Sequence, residues 1–128
     1  VFYALYIGFD DGDLFELVNL NSSEVIRRQL NATPADRWVV IAVEGEGTQR
    51  QRRFEYYSRD FELNFSRSES SDYDVRERIW FTQADAQGVS KTRPYLFQHL
   101  QAPGQSFVKK LPGTGHVLAL DITFSTLC

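Results

Sequence analysis

Short runs of aliphatic and aromatic residues, each closed by a tight-turn signal, recur along this chain and point to a sheet joined by hairpins. The first run, Val1 to Phe9, meets Asp10-Asp11-Gly12-Asp13, a turn sequence, and Leu14 to Leu20 reads as the returning strand. Ser22 to Leu30 places apolar residues at Val25, Ile26 and Leu30 behind serine caps, which predicts a short amphipathic helix. Further strands are expected over Trp38–Val43, Arg50–Tyr57, 92–97, Ser106–Leu111 and His116–Phe124, with a half-buried stretch at Phe61–Phe65. Ser66–Ser71 and the segment holding Pro103-Gly104 read as loops, and a helical patch is expected around 79–86. Strands joined by hairpins, with helices outside any βαβ alternation, predict an α+β fold around an antiparallel sheet of about six strands.

Composition narrows the function classes. A length of 128 residues fits one domain, 1–128. A net charge of −3 supplies no basic face for phosphate backbones, which argues against nucleic acid as a partner. Aromatic residues make up 14% of the chain, and aromatics favour both strands and ligand-lined cavities. One cysteine, Cys128, cannot form an intrachain disulfide. His99 and His116 lack a neighbouring ligand pair, and Asp10, Asp11 and Asp13 lack EF-hand spacing, so neither a metal nor a cofactor is expected. No phosphate-cradling glycine loop or nucleophile elbow is present, so catalysis is not expected. Arg50, Arg52 and Arg53, close to Glu55, read as the wet face of an edge strand. The chain has no methionine and opens inside a strand-like run, as a piece of a longer protein would.

Two segments carry candidate chemistry. In the first, Tyr73 to Phe81, Asp74 and Glu77 resemble a capping box that starts a helix at Val75. A regular helix would point Arg78 and Trp80 about 160° apart. A chain extended through Arg78 and helical near Trp80 puts both on one side, where guanidinium and indole N–H can clamp a carboxylate. In the second, strand alternation puts Val117, Ala119, Asp121 and Thr123 on one face, as the floor of a cavity. The other face, Leu118, Leu120, Ile122 and Phe124, reads as core. A buried Asp121 needs a partner, either a ligand cation or an arginine of the protein.

The ordered set Tyr73-x4-Arg78-x-Trp80-Phe81-x2-Ala84, Thr92-x-Pro94-Tyr95 and Leu118-Ala119-Leu120-Asp121-Ile122 resembles the extracytoplasmic sensor domains called Cache domains. The opening Tyr6-Ile7-Gly8-Phe9-x2-Gly12-Asp13 hairpin is similar to theirs as well. The resemblance implies a PAS-like sheet with short flanking helices and a pocket over the sheet. It also implies a place outside the bacterial inner membrane (the periplasmic side), as part of a membrane-anchored signal-transduction receptor whose output domain is a nucleotide cyclase, an HD-type phosphohydrolase or a kinase. In the amino-acid-binding branch, positions matching Tyr73, Arg78 and Trp80 hold a ligand carboxylate, and Tyr95 and Asp121 match further ligand contacts. Phe81 and Phe97 replace a tyrosine and an aspartate of that pattern, and Val75 and Ile79 replace prolines. Losing an acid at Phe97 removes a charge-assisted hydrogen bond, about 1.5–3 kcal/mol, so a carboxylate with an apolar or aromatic body fits better than an α-amino acid.

Two functions follow as expectations. The first is a sensor that binds a carboxylate-containing small molecule. The second is a ligand-free structural or dimerisation module, a homodimer, with Phe81, Phe97 and Phe107 filling the pocket and Arg78 paired with Asp121.

Overall fold

The computed structural model describes residues 2–97 and 102–124. Cys128 and His99 lie outside them. The described residues form nine strands: β1 (Phe2–Gly8), β2 (Leu14–Asn19), β3 (Trp38–Glu44), β4 (Gln51–Tyr57), β5 (Leu63–Ser70), β6 (Ser90–Lys91), β7 (Tyr95–Phe97), β8 (Ala102–Lys110) and β9 (Val117–Thr123). Two short helices, α1 (Glu24–Gln29) and α2 (Ile79–Thr82), accompany them. All the strands belong to one antiparallel sheet, in the order β5-β4-β3-β2-β1-β9-β8-β6, with β7 also paired to β8.

This corrects the α+β expectation of a PAS-like sheet of about six strands. The architecture is closer to all-β. The difference comes from two segments expected to be loops. Ser66–Ser70 continues β5 against β4, and Pro103-Gly104 lies inside β8. Backbone pairing carries both, and β5 needs no apolar periodicity because it is a polar, exposed edge strand. Arg50, Arg52 and Arg53 therefore do not flank an edge: β4 lies between β3 and β5.

The β1–β2 turn matches expectation, with Gly12 at φ +97°, a backbone state that glycine adopts without steric cost. The first helix forms where predicted, and the Ser23 hydroxyl accepts from the Val25 N–H at 3.1 Å. Helix α2 is shorter than the patch expected around 79–86 and ends at Thr82.

Side-chain alternation gives the sheet two unlike faces. The inner face carries Ala4, Val18, Val39, Val43, Val117 and Ala119, all nearly inaccessible. Helix α1, which buries Ile26, and the segment 71–97, which buries Val75 and Phe97, cover this face. The outer face runs Phe15–Ile7–Leu118 and Leu17–Leu5–Leu120 across neighbouring strands. It lies open: Leu5, Phe15 and Leu118 are 40%, 48% and 41% exposed. The expected core face of β9 is therefore its more exposed one, because the covering segments cross the opposite side, where Val117, Ala119, Asp121 and Thr123 are buried.

Candidate ligand-binding cavity

Where the covering segment stands off the sheet, it leaves a cavity of about 530 Å³. Tyr3, Tyr6, Glu16 and Asp121 form its floor, and Tyr73, Arg78, Trp80, Tyr95 and Phe97 face them. A larger, shallower groove of about 910 Å³ shares Arg52, Glu69, Tyr73 and Arg78 with the cavity. The smaller space is the better candidate, because it alone of the two contains the buried ionisable groups.

The roof follows from a local break in the chain. Asp74 accepts from the Arg76 N–H at 2.9 Å and caps a single 3₁₀ turn, Val75–Glu77, in place of the helix expected from a capping box. Arg78 is extended, at φ −100° and ψ 140°, and α2 begins immediately after it. Arg50 secures this roof. Its guanidinium pairs with Asp13 at 2.9 Å and donates to the Tyr73 carbonyl at 2.9 Å and to the Gly12 and Gly45 carbonyls.

The floor holds Asp121 through hydroxyl groups. Its Oδ1 accepts from Tyr6 at 2.8 Å and from Ser106 at 2.6 Å, and the Ser106 and Tyr95 hydroxyls lie 2.6 Å apart. Burial outweighs these bonds and pushes the Asp121 carboxyl up to about 6. Glu16 sits on the same face of β2 as Leu14 and Val18, opposite Tyr6. Burial, then the Asp121 charge, pushes its carboxyl up to about 7, while Arg52 pulls the other way. Burial likewise raises the Tyr6 hydroxyl, and that of Tyr95 to about 12.

The mouth is cationic. The Arg78 and Arg52 guanidiniums lie 4.9 and 5.4 Å from the centre of the Tyr73 ring. Among the described residues neither pairs with a carboxylate. Trp80 meets Tyr6 edge-on at 4.8 Å. It rests over Gly8, where a Cβ would come 2.7 Å from the indole.

The structure thus brings Tyr73, Arg78, Trp80, Tyr95, Phe97 and Asp121 to one cavity. Phe81 instead packs behind Trp80, at 5.9 Å between ring centres. The expected self-plugging does not form as described. Asp121 pairs with hydroxyls rather than with Arg78, and Phe107 lies on the outer face opposite Leu120. Sequence reasoning missed Tyr3, Tyr6, Glu16, Arg52 and Ser106. Glu16 left a readable signal, an acid at an inward position between Leu14 and Val18. Among the described residues, no group of three or more His, Cys, Asp or Glu is placed to hold a metal ion. No helix there is long and apolar enough to cross a membrane. Comparison with protein-family models, with curated proteins and with solved structures returned no match.

Proposed function

We propose that this chain is a small-molecule-binding sensor module whose ligand carries a carboxylate. One observation carries the reading: Arg52 and Arg78 flank Tyr73 at the mouth of an aromatic-lined cavity, with no carboxylate of the protein paired to either among the described residues. Guanidiniums bind carboxylates bidentately, and Trp80, whose indole carries one N–H donor, lines the same cavity. The Cache-like order of Tyr73, Arg78 and Trp80 supports a sensing role in an extracytoplasmic part of a bacterial receptor. Sensing then requires that the ligand bind two arrangements of the roof with different affinity.

A thermal-shift screen against carboxylates, amines and aromatic acids tests the reading, with Arg78→Ala alongside. A ligand at about 100 times its dissociation constant adds about 2.7 kcal/mol, a shift of several degrees for a domain of this size. A carboxylate-specific shift that Arg78→Ala abolishes is expected. Shifts that survive the substitution, or none with any carboxylate, overturn the reading.

A second reading, a structural or dimerisation module, draws on the outer sheet face, where Leu5, Phe15 and Leu118 are exposed side by side. Light scattering during size exclusion tests it: a dimer that Phe15→Glu splits supports it, and a monomer at all concentrations rejects it.

A further inference from the structure

The cavity has a cationic end and an acidic end, and among the described residues no cation is paired with the acids, although Arg52 lies near enough to favour the charged form of Glu16. Among the described residues the half-buried Glu16 carboxylate makes no hydrogen bond and no ion pair. Asp121, only 7% exposed, accepts through Oδ1 from Tyr6 and Ser106, and among the described residues its Oδ2 accepts nothing. No buried side-chain oxygen or nitrogen in the described residues lacks a partner, so the open carboxylate oxygens face the cavity and not sealed core. The rings of Tyr3, Tyr6 and Phe97 wall this end, the surroundings that favour an organic cation.

The register sets how far apart the ends lie. Arg52 is on β4, Glu16 on β2 and Asp121 on β9, all on the inner face. At about 4.8 Å per strand, the Arg52 and Asp121 backbones are roughly 19 Å apart across the sheet, with Glu16 about midway. Because the cationic and acidic groups come from different strands, a ligand whose two charges are separated by a chain fits this layout better than an α-amino acid, whose two charged groups share one carbon.

We propose that the ligand is a linear amino-carboxylate, its carboxylate held at Arg52 and Arg78 and its protonated amine, several carbons away, held by Glu16 with Asp121. This rests on the carboxylate reading above and deepens it. It assigns Glu16 as the residue that selects for the amine, and it fits ω-amino acids and short peptides, whose charges are separated by a chain.

Calorimetric titration with ε-aminocaproate, caproate, γ-aminobutyrate and free alanine tests the proposal. Amine-bearing ε-aminocaproate is expected to bind about ten-fold or more tighter than caproate, the gain from one charge-assisted hydrogen bond. It should also exceed γ-aminobutyrate and alanine. Glu16→Gln, nearly isosteric, should erase the advantage of ε-aminocaproate over caproate, with circular dichroism confirming the fold. If caproate binds as tightly as its amino counterpart, or if the preference persists in Glu16→Gln, the amine assignment is wrong and the carboxylate reading stands. If neither compound binds, the linear amino-carboxylate assignment falls, and the carboxylate reading is decided by the thermal-shift screen above.

Discussion

Ser106 and Asp121 face each other across the β8–β9 register, and the serine hydroxyl donates to the Asp121 carboxylate at 2.6 Å inside the protein. The bond does two things. It satisfies one oxygen of a buried acid, and it positions the Tyr95 hydroxyl, 2.6 Å away, at the cavity rim. Ser106→Ala removes a donor without changing the strand. We expect a loss of about 1–3 kcal/mol in urea unfolding, the cost of stripping a buried acceptor of its partner. The Asp121 carboxyl should titrate higher than in the parent chain, since Ser106 currently lowers it. Side-chain carboxyl NMR reads that shift directly.

The two floor acids make stability depend on pH with an uncommon sign. Glu16 rises from 4.5 to about 7 and Asp121 from 3.8 to about 6 on folding. Both carboxyls hold protons more tightly folded than unfolded, so stability is fullest below the unfolded values and declines as pH rises through the folded ones. Denaturant midpoints should therefore fall between about pH 4 and about pH 7. Glu16→Gln should flatten that decline. A midpoint that climbs across this window would show that the acids are not desolvated.

Arg50 holds the roof of the cavity. Its side chain bonds Asp13 and three backbone carbonyls, those of Gly12, Gly45 and Tyr73. Arg50→Ala should cost about 3 kcal/mol, because several charge-assisted bonds disappear together. Hydrogen exchange should accelerate around Tyr73–Arg78 more than in β3. Uniform acceleration would mean that Arg50 stabilises the whole domain and not this segment.

Gly8 seats Trp80, with the indole so close that an added methyl would stand 2.7 Å from it. Gly8→Ala should shift the indole, at a cost of about 1–3 kcal/mol. Tryptophan emission should move to the red as Trp80 becomes wetter, since the other tryptophan, Trp38, lies on the outer face. Unchanged emission would show that the ring does not depend on this seat.

The hairpin from Phe2 to Asn19 and helix α1 were legible because periodicity and turn chemistry act locally. That Asp121 shares one face of β9 with Val117, Ala119 and Thr123 was legible too, from strand alternation. The serine-rich part of strand β5 was not, because Ser66, Ser68 and Ser70 signal a loop, and only the neighbouring strand makes them a ladder. Which face of β9 would be covered was also hidden. Leu118 and Ile122 look like core in isolation, but coverage is decided by the path of the segment 71–97, many residues away. Arg52 was hidden for the same reason, since its inward direction becomes informative only once the sheet's covered side is known.

Strands β1 and β9 lie side by side in the middle of the sheet, and the bond from Tyr6 to Asp121 joins residues 115 positions apart. Each outer block of strands can form from local hairpins, but the cavity floor requires the two ends of the described chain to meet. Loop-closure entropy must be overcome before that pairing yields any gain. Folding should therefore be slow for this size, milliseconds to seconds. A nascent chain in which β9 has not yet emerged holds Tyr6 and Glu16 with no Asp121 beside them, so the cavity floor is completed in the step that joins the sheet.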